Sequence, residues 1–369
     1  MIKRKILIVS KFFYPENSPR SFRATELAKE LARQGHKVTV ITPRISDIHD
    51  KFEIEHKISI RNLGKPRWNN LKLKGTGIER LIRRALVRFP KLLFEFPDIQ
   101  LIGLIKKALS YEQSYDLLIS IAVPHPIHWG VAAVRSGKHP IAKVWVADCG
   151  DPYMGQENDS FKVPFYFKYV EKWFCRKADY LSVPTPGAIE GYYPEFRNKI
   201  KVIPQGFRFE DIKVKKSLYG RPYPEFAYAG MFIPGRRDPT ELLSYLISLT
   251  KDFRFHIYTK TPALAKPFTD KSKGRVIIHQ PIAREELLYE LSGMDFMVNF
   301  ENIGTKQTPS KLIDYAIIDK PILSVRTGEL NTKVVDEFLV KKYQNRYQMI
   351  RDSYQIHKVT SKFLALLKN

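Results

Sequence analysis

TPSKLIDYAIIDKPILS, residues 308–324, decides how this chain is read. A Thr-Pro-Ser start leads into Lys311, Leu312, Ile313, Asp314, Tyr315, Ala316, Ile317 and Ile318, a helix-like run. Asp319-Lys320-Pro321 breaks it, and Ile322-Leu323 reads as a buried strand. Ser310 suits the N-cap, with Thr308 the alternative, because either hydroxyl would accept from a free helix N–H. The amides of that first turn face whatever precedes the helix, and the dipole favours an anion there, such as a diphosphate. Lys311 lies on the same turn, where its charge opposes the dipole; a nearby phosphate would offset the conflict. Asp314, one turn on, is within reach of a sugar hydroxyl. The competing reading is an ordinary capped helix between two strands, with Lys311 and Asp314 merely solvated.

This stretch closes a strand–helix pattern that opens at Phe226-Ala227-Tyr228-Ala229-Gly230. Loop 231–238, MFIPGRRD, brings Arg236 and Arg237 to the start of a helix expected over 239–249, with Pro239 at its first position. Strands at 253–259, 276–279 and 294–300 and a helix at 285–293 continue the pattern.

The first half repeats the plan. ILIVS (6–10) is a buried parallel strand, 11–20 a loop punctuated by Pro15 and Pro19, 21–34 a helix capped by Gly35, and 36–42 the next strand. This βαβ opening lacks G-x-G-x-x-G, which disfavours a simple dinucleotide site. Strands at 116–122 and 143–147 are followed by polar loops, and ligands in open α/β sheets bind at such carboxyl ends. The first loop carries His125 and His128, for which a loop histidine without chemical role is the alternative. The second carries Asp148 and Asp151, a pair able to orient a hydroxyl or take its proton. Asp151 is otherwise a turn residue before Pro152.

At 369 residues the chain has the length of two ordinary domains. Its hydrophobic content of 44% suits a soluble protein, and no apolar run approaches the ~20 residues of a membrane span. The N-terminal run is too short for a signal-peptide core. Cys149 and Cys175 make no CxxC, so neither a disulfide framework nor a metal site is expected, and a cytoplasmic setting fits. The net charge of +24 asks for an acidic partner. It is densest over 57–91, with eleven Lys or Arg against Glu79 alone. Within it Ile78, Leu81, Ile82, Ala85, Leu86 and Phe89 form an apolar stripe flanked by Arg80, Arg83, Arg84 and Arg88, with Trp68, Phe94 and Phe96 close by. Such a helix reads as an anionic-membrane surface element, or as a core-packed helix with solvated arginines. A nucleic-acid partner is the rival from another class, but no RRM, KH, zinc or helix-turn-helix pattern is present.

Several of these segments, in order, resemble the retaining GT-B glycosyltransferases of family 4. The opening matches at Tyr14, Pro15, Glu16, Arg23, Glu26, Leu27, Ala28, Leu31, Gly35, His36, Val38 and Val40. Asp148, Asp151 and Pro152 match a W-x-A-D-x-R-D-P-W segment, with Gly150 in place of Arg and Tyr153 in place of Trp. KIKVIPQG (199–206) matches K-I-x-V-I-P-N-G, and 308–324 matches the donor-site segment P-S-K-L-x-E-Y-x-A-x-G-K-P-I-L.

The resemblance implies two Rossmann-like domains facing across a cleft. The acceptor domain spans 1–205 and is rejoined by a C-terminal helix at 351–369; 206–223 is the linker and 224–350 the nucleotide-sugar domain. It implies transfer of a sugar from a UDP- or GDP-sugar to a hydroxyl of a glycan or lipid-linked acceptor in cell-surface polysaccharide synthesis, without metal or other cofactor. The enzyme would sit on the inner face of the cell membrane, held by 57–91. The donor would be bound by Arg236, Arg237, Lys306, Gln307, Ser310, Lys311 and Asp314, the last on the ribose. Asp151 and His125 would serve the chemistry. Ser18 and Arg20 stand where many members have a Gly pair that approaches phosphates and acceptor. Eight positions before Asp314 the family carries a sugar-binding Glu; Lys306 stands there instead, with Glu301 nearby but out of register. That substitution keeps open an inactive, glycosyltransferase-like binding subunit.

Overall fold

Ile6, Leu7, Ile8 and Val9 are wholly buried in the computed structural model, and their alternation shows how the first sheet is sandwiched. Ile6 and Ile8 belong to one apolar layer, Leu7 and Val9 to the other, as side chains on a strand buried on both faces must. The structure describes residues 2–68, 77–150, 152–156, 162–215, 222–301 and 310–367, with backbone alone for 77–85 and 310. The chain divides into two compact units, Met1–Gly206 with Ile356–Asn369, and Phe207–Gln355.

The first unit runs β1 (Lys5–Ser10), α1 (Pro19–Arg33), β2 (Lys37–Thr42), α2 (Ser46–His56), β3 (Ser59–Asn62), α3 (Gly77–Phe94), α4 (Leu101–Leu109), β4 (Tyr115–Ile121), α5 (Pro126–Val134), β5 (Ala142–Asp148), α6 (Phe167–Lys177), β6 (Tyr180–Val183) and β7 (Ile200–Val202). Its seven strands pair in parallel in the order β3-β2-β1-β4-β5-β6-β7. The order reverses between β1 and β4, so their carboxyl ends frame the crevice where such sheets place ligands.

Two local readings change. Past β2 the strand–helix alternation runs on through elements that the sequence does not announce. α2 and β3 carry it to the sheet edge, but α2 buries only His49 and Phe52, and β3 only Ile60, so neither prints an apolar period. The first helix also starts earlier than residue 21. Ser18 is its N-cap, accepting from Ser21 N at 3.3 Å, with Pro19 in the first turn. Arg20 is therefore helical rather than part of a loop.

The second unit runs β8 (Glu225–Ala229), α7 (Thr240–Ser248), β9 (Arg254–Tyr258), the short α8 (Lys266–Thr269), β10 (Val276–His279), α9 (Arg284–Ser292), β11 (Phe296–Phe300), α10 (Ser310–Ile317), β12 (Ile322–Val325) and α11 (Thr332–Leu339). The parallel order is β10-β9-β8-β11-β12, reversing between β8 and β11. Phe226 stacks between Phe255 and Phe296, centroids 4.7 and 4.4 Å away, and packs against α7 and α11. Ala227, Met297 and Ile322 face α9 and α10 on the other side.

A last helix, α12 (Ile356–Ala365), belongs to the first unit. Ile356, Val359 and Phe363 join the layer of Ile6 and Ile8, and Gln34 Nε2 donates to Thr360 Oγ1 at 2.8 Å. The helix expected from 351 begins only at Ile356: Arg351–Tyr354 is a 3-10 turn that stays with the second unit. There Arg351 lies 4.9 Å over Phe209 and donates to Ile317 O.

Candidate active site

In the second unit the site residues gather where β8 ends and α10 begins. Gly230 follows β8 with φ +155, and a Cβ there would lie 2.9 Å from Tyr228 Oη. The glycine lets the chain fold back over the tyrosine, whose hydroxyl donates to Met231 O at 3.0 Å and makes a side-chain hydrogen bond with Arg237. Arg237 is held through its own backbone, paired with Ile233 in both directions. Arg236 is exposed, and its carbonyl accepts from Thr327 Oγ1 at 2.5 Å.

α10 is fixed to the same place by Tyr315, whose hydroxyl accepts from Ala229 N at 3.0 Å. Lys311 consequently lies 4.2 Å over the Tyr228 ring. Its Nζ is shut off from solvent and has no hydrogen-bond partner among the described residues. Burial, and then the charge of Arg237, push this ammonium well below the usual lysine range. An ammonium with three donors unused is poorly solvated by the protein alone; an incoming polyanion would supply both charge and acceptors.

Asp314 faces Arg284 at the start of α9, whose Nε and Nη2 both donate to Oδ1. Arg284 in turn stacks 4.2 Å over Phe207. Burial raises the Asp314 carboxyl, and Arg284 offsets only part of that rise. The helix starts at Ser310 itself rather than after it. Lys306 and Gln307 lie outside the described residues, as does Asp151.

In the first unit the polar groups collect at the ends of β1, β4 and β5. Asp148, at the end of β5, is not a free carboxylate that could work beside Asp151. Arg23 of α1 grips it, Ser182 Oγ donates to it at 2.6 Å, and it is buried. His125, at the head of α5, is buried against Tyr153 at 4.8 Å, with Nδ1 unpartnered. Burial, then His128 and Arg20, hold it well below the ordinary histidine range, so it is neutral at pH 7. His128 shares Ser120 Oγ with Trp145 Nε1, each at 2.8 Å, and burial takes it down to about 3. Arg20 lies flat on Gly150, which has φ +70. Ser18, placed by its sequence position as a phosphate-loop residue, has its oxygen engaged as the cap of α1.

The structure thus brings Lys311 and Arg237 together in one unit, and Arg20 and His125 together in the other. Tyr228 and Arg284 have no sequence signal as site-builders: Tyr228 reads as one more apolar strand residue, and Arg284 as a solvated first-turn cation.

A family model described as Glycosyltransferase Family 4 matches residues 22–210. No curated protein sequence matches significantly. Among solved structures, a glycosyltransferase from Rickettsia africae shares 13% identity at a TM-score of 0.61, over 99% of this chain and 98% of that one. HepE of Anabaena, solved in complex with UDP and glucose, shares 11% at 0.59, over 99% of both chains. The catalytic domain of starch synthase IV from Arabidopsis thaliana, bound to ADP and acarbose, shares 10% at 0.55, over 100% and 99%. At these identities the likeness establishes the fold, which is GT-B: two Rossmann-like units with parallel sheets of seven and five strands.

Proposed function

The chain belongs to glycosyltransferase family 4, and from that premise we propose that it moves a sugar from UDP- or GDP-sugar to a hydroxyl of a glycan or lipid-linked acceptor, with retention. Lys311 carries this reading. A buried, unpartnered ammonium beside Arg237 at the first turn of α10 is suited to a nucleoside diphosphate, which would restore its charge and fill its donors. The pyrophosphate is also the leaving group. As the bond from anomeric carbon to phosphate oxygen breaks, Lys311, Arg237 and the α10 amides take up the growing negative charge. The acceptor oxygen bonds to the same carbon, and its proton passes to the departing diphosphate. Asp314 would hold the ribose hydroxyls. Arg236, Lys306, Gln307 and Ser310 complete the proposed donor set, while Asp151 and His125 would contact acceptor and sugar. The complex of the Anabaena relative with UDP and glucose supports a uridine donor.

No helix among the described residues is long and apolar enough to cross a membrane. The end of α3 nonetheless leaves Leu86, Phe89 and Phe94 exposed near Arg88 and Lys91. Tyr166 donates to Leu93 O, which brings the exposed Phe165 alongside. Exposed aromatics ringed by cations suit an anionic lipid surface, where a lipid-linked acceptor would be found.

Calorimetric titration of the full chain with UDP and GDP tests the donor assignment. One of them should bind, and Lys311→Met should abolish that binding. Equal binding by wild type and variant would remove the basis of the proposal. Turnover of the matching nucleotide sugar with membrane extract then separates an enzyme from an inactive binding subunit.

A further inference from the structure

The first unit holds a second cation that the donor reading does not use. An ideal Cβ on Gly150 would lie 1.8 Å from Arg20 Nη2, 2.3 Å from Cζ and 2.5 Å from Nη1, so the guanidinium occupies the space a side chain would take. Among the described residues Arg20 has no hydrogen bond and no ion pair. Among the described residues the carboxylate that feels its charge, Asp148, is already bonded in bidentate fashion to Arg23. His125 and His128 also feel the Arg20 charge and are both neutral, and each keeps one buried ring nitrogen unpartnered. A half-buried guanidinium with no partner among the described residues, beside the buried and unpartnered His125 Nδ1, is open to an oxyanion from outside the protein.

We propose that Arg20, lying on Gly150 beside the unpartnered His125, is a subsite for an anionic group, phosphate or carboxylate, carried by the acceptor. The inference rests on the glycosyltransferase reading and adds a substrate class to it. The acceptor is assigned as the source because the second unit has its own cations, Lys311 and Arg237, for the donor's diphosphate. Guanidinium geometry suits either oxyanion, since two parallel N–H groups can meet two oxygens. Gly150 makes the subsite possible: any larger residue at 150 would displace the guanidinium.

The test uses the full chain with Lys311→Met as background, so that the donor site cannot report. Inorganic phosphate should raise the melting temperature of this variant, and adding Arg20→Gln should remove the rise. Arg20→Lys, which keeps charge but loses the planar fork, should retain only part of it. Phosphate stabilisation independent of Arg20, or none at all, overturns the subsite. In the Lys311-containing chain, Arg20→Gln should raise KM at least tenfold for an alkyl glucuronide or an alkyl glucoside 6-phosphate, and leave KM for the neutral alkyl glucoside unchanged. UDP and GDP affinity should not move. A tenfold loss of nucleotide affinity in Arg20→Gln would assign the anion to the donor and overturn the proposal. If the wild-type chain binds neither nucleotide, the donor reading fails, while Arg20-dependent phosphate binding would still support the anion subsite.

Discussion

Arg23 holds Asp148 through two nitrogens, Nε to Oδ2 and Nη2 to Oδ1, each at 2.9 Å, with both side chains almost wholly out of solvent. The guanidinium also donates to the carbonyls of Pro204 and Ile203 and lies 5.2 Å over Phe363. One arginine therefore ties α1, the end of β5, the segment after β7 and α12 together. Its partner carboxylate has a structural post at the site's edge.

Asp148→Asn should cost about 3–5 kcal/mol, because it leaves a buried guanidinium uncompensated. Urea unfolding of the full chain measures it. Burial alone would raise the Asp148 carboxyl, but Arg23 and Ser182 outweigh burial and hold it below the usual range. The pair's stabilisation is present above the unfolded aspartate value of about 3.9 and is lost as pH falls through the lower folded value. The variant should lack that acid-side loss.

Glu171 behaves oppositely. Burial pushes its carboxyl up to about 7, while the N–H groups of Met154 and Tyr153 pull the other way. Stability from the protonated form is complete below the unfolded value of about 4.3 and disappears as pH rises through about 7. The span is on the order of 3 kcal/mol. Glu171→Gln keeps an acceptor for Tyr153 N, so its stability should be flat over that window. A sloping profile in the variant would show that another group is responsible.

Lys311→Met should raise stability near neutral pH by about 1 kcal/mol while abolishing nucleotide binding. In the folded chain this ammonium is disfavoured, so stability falls as pH drops below the unfolded lysine value of about 10.4. Binding a nucleoside diphosphate reverses the preference. Calorimetry in buffers of different ionisation heat should register proton uptake by the wild type on binding.

Asp314→Ala should weaken UDP or GDP binding roughly tenfold, the loss of one charge-assisted hydrogen bond to ribose. Unaltered affinity would reassign Asp314 to holding Arg284 alone.

Replacing Leu86, Phe89 and Phe94 together by Ser should cut co-sedimentation with phosphatidylglycerol vesicles at least tenfold, since each removes about 1.5–3 kcal/mol of apolar transfer. Folding should be little affected, because all three are exposed. Retained binding would move the contact to other basic residues.

The sheet-forming runs could be read directly, since Ile6 to Val9 and Phe226 to Ala229 are continuous apolar segments with few alternatives. The segments that escaped, α2 and β3, are half exposed and have no period to detect. Site residues divide in the same way. Lys311 could be singled out because a cation at a helix start is locally unfavourable. Arg284 is a first-turn cation too, but solvent can serve it there, and its place opposite Asp314 depends on how α9 and α10 pack, a tertiary fact. The contact between Arg20 and Gly150 joins positions 130 residues apart, and nothing local in either neighbourhood pairs them.

α12 gives the first unit a core that is discontinuous in sequence. Ile6 and Ile8 leave the ribosome long before Ile356, Val359 and Phe363, which finish their layer. The second unit, Phe207–Gln355, is translated whole between them. Nascent chains therefore carry an unsealed apolar strip on the first unit until α12 is made and can cover it. A stop codon ahead of α12 would strike the part made first.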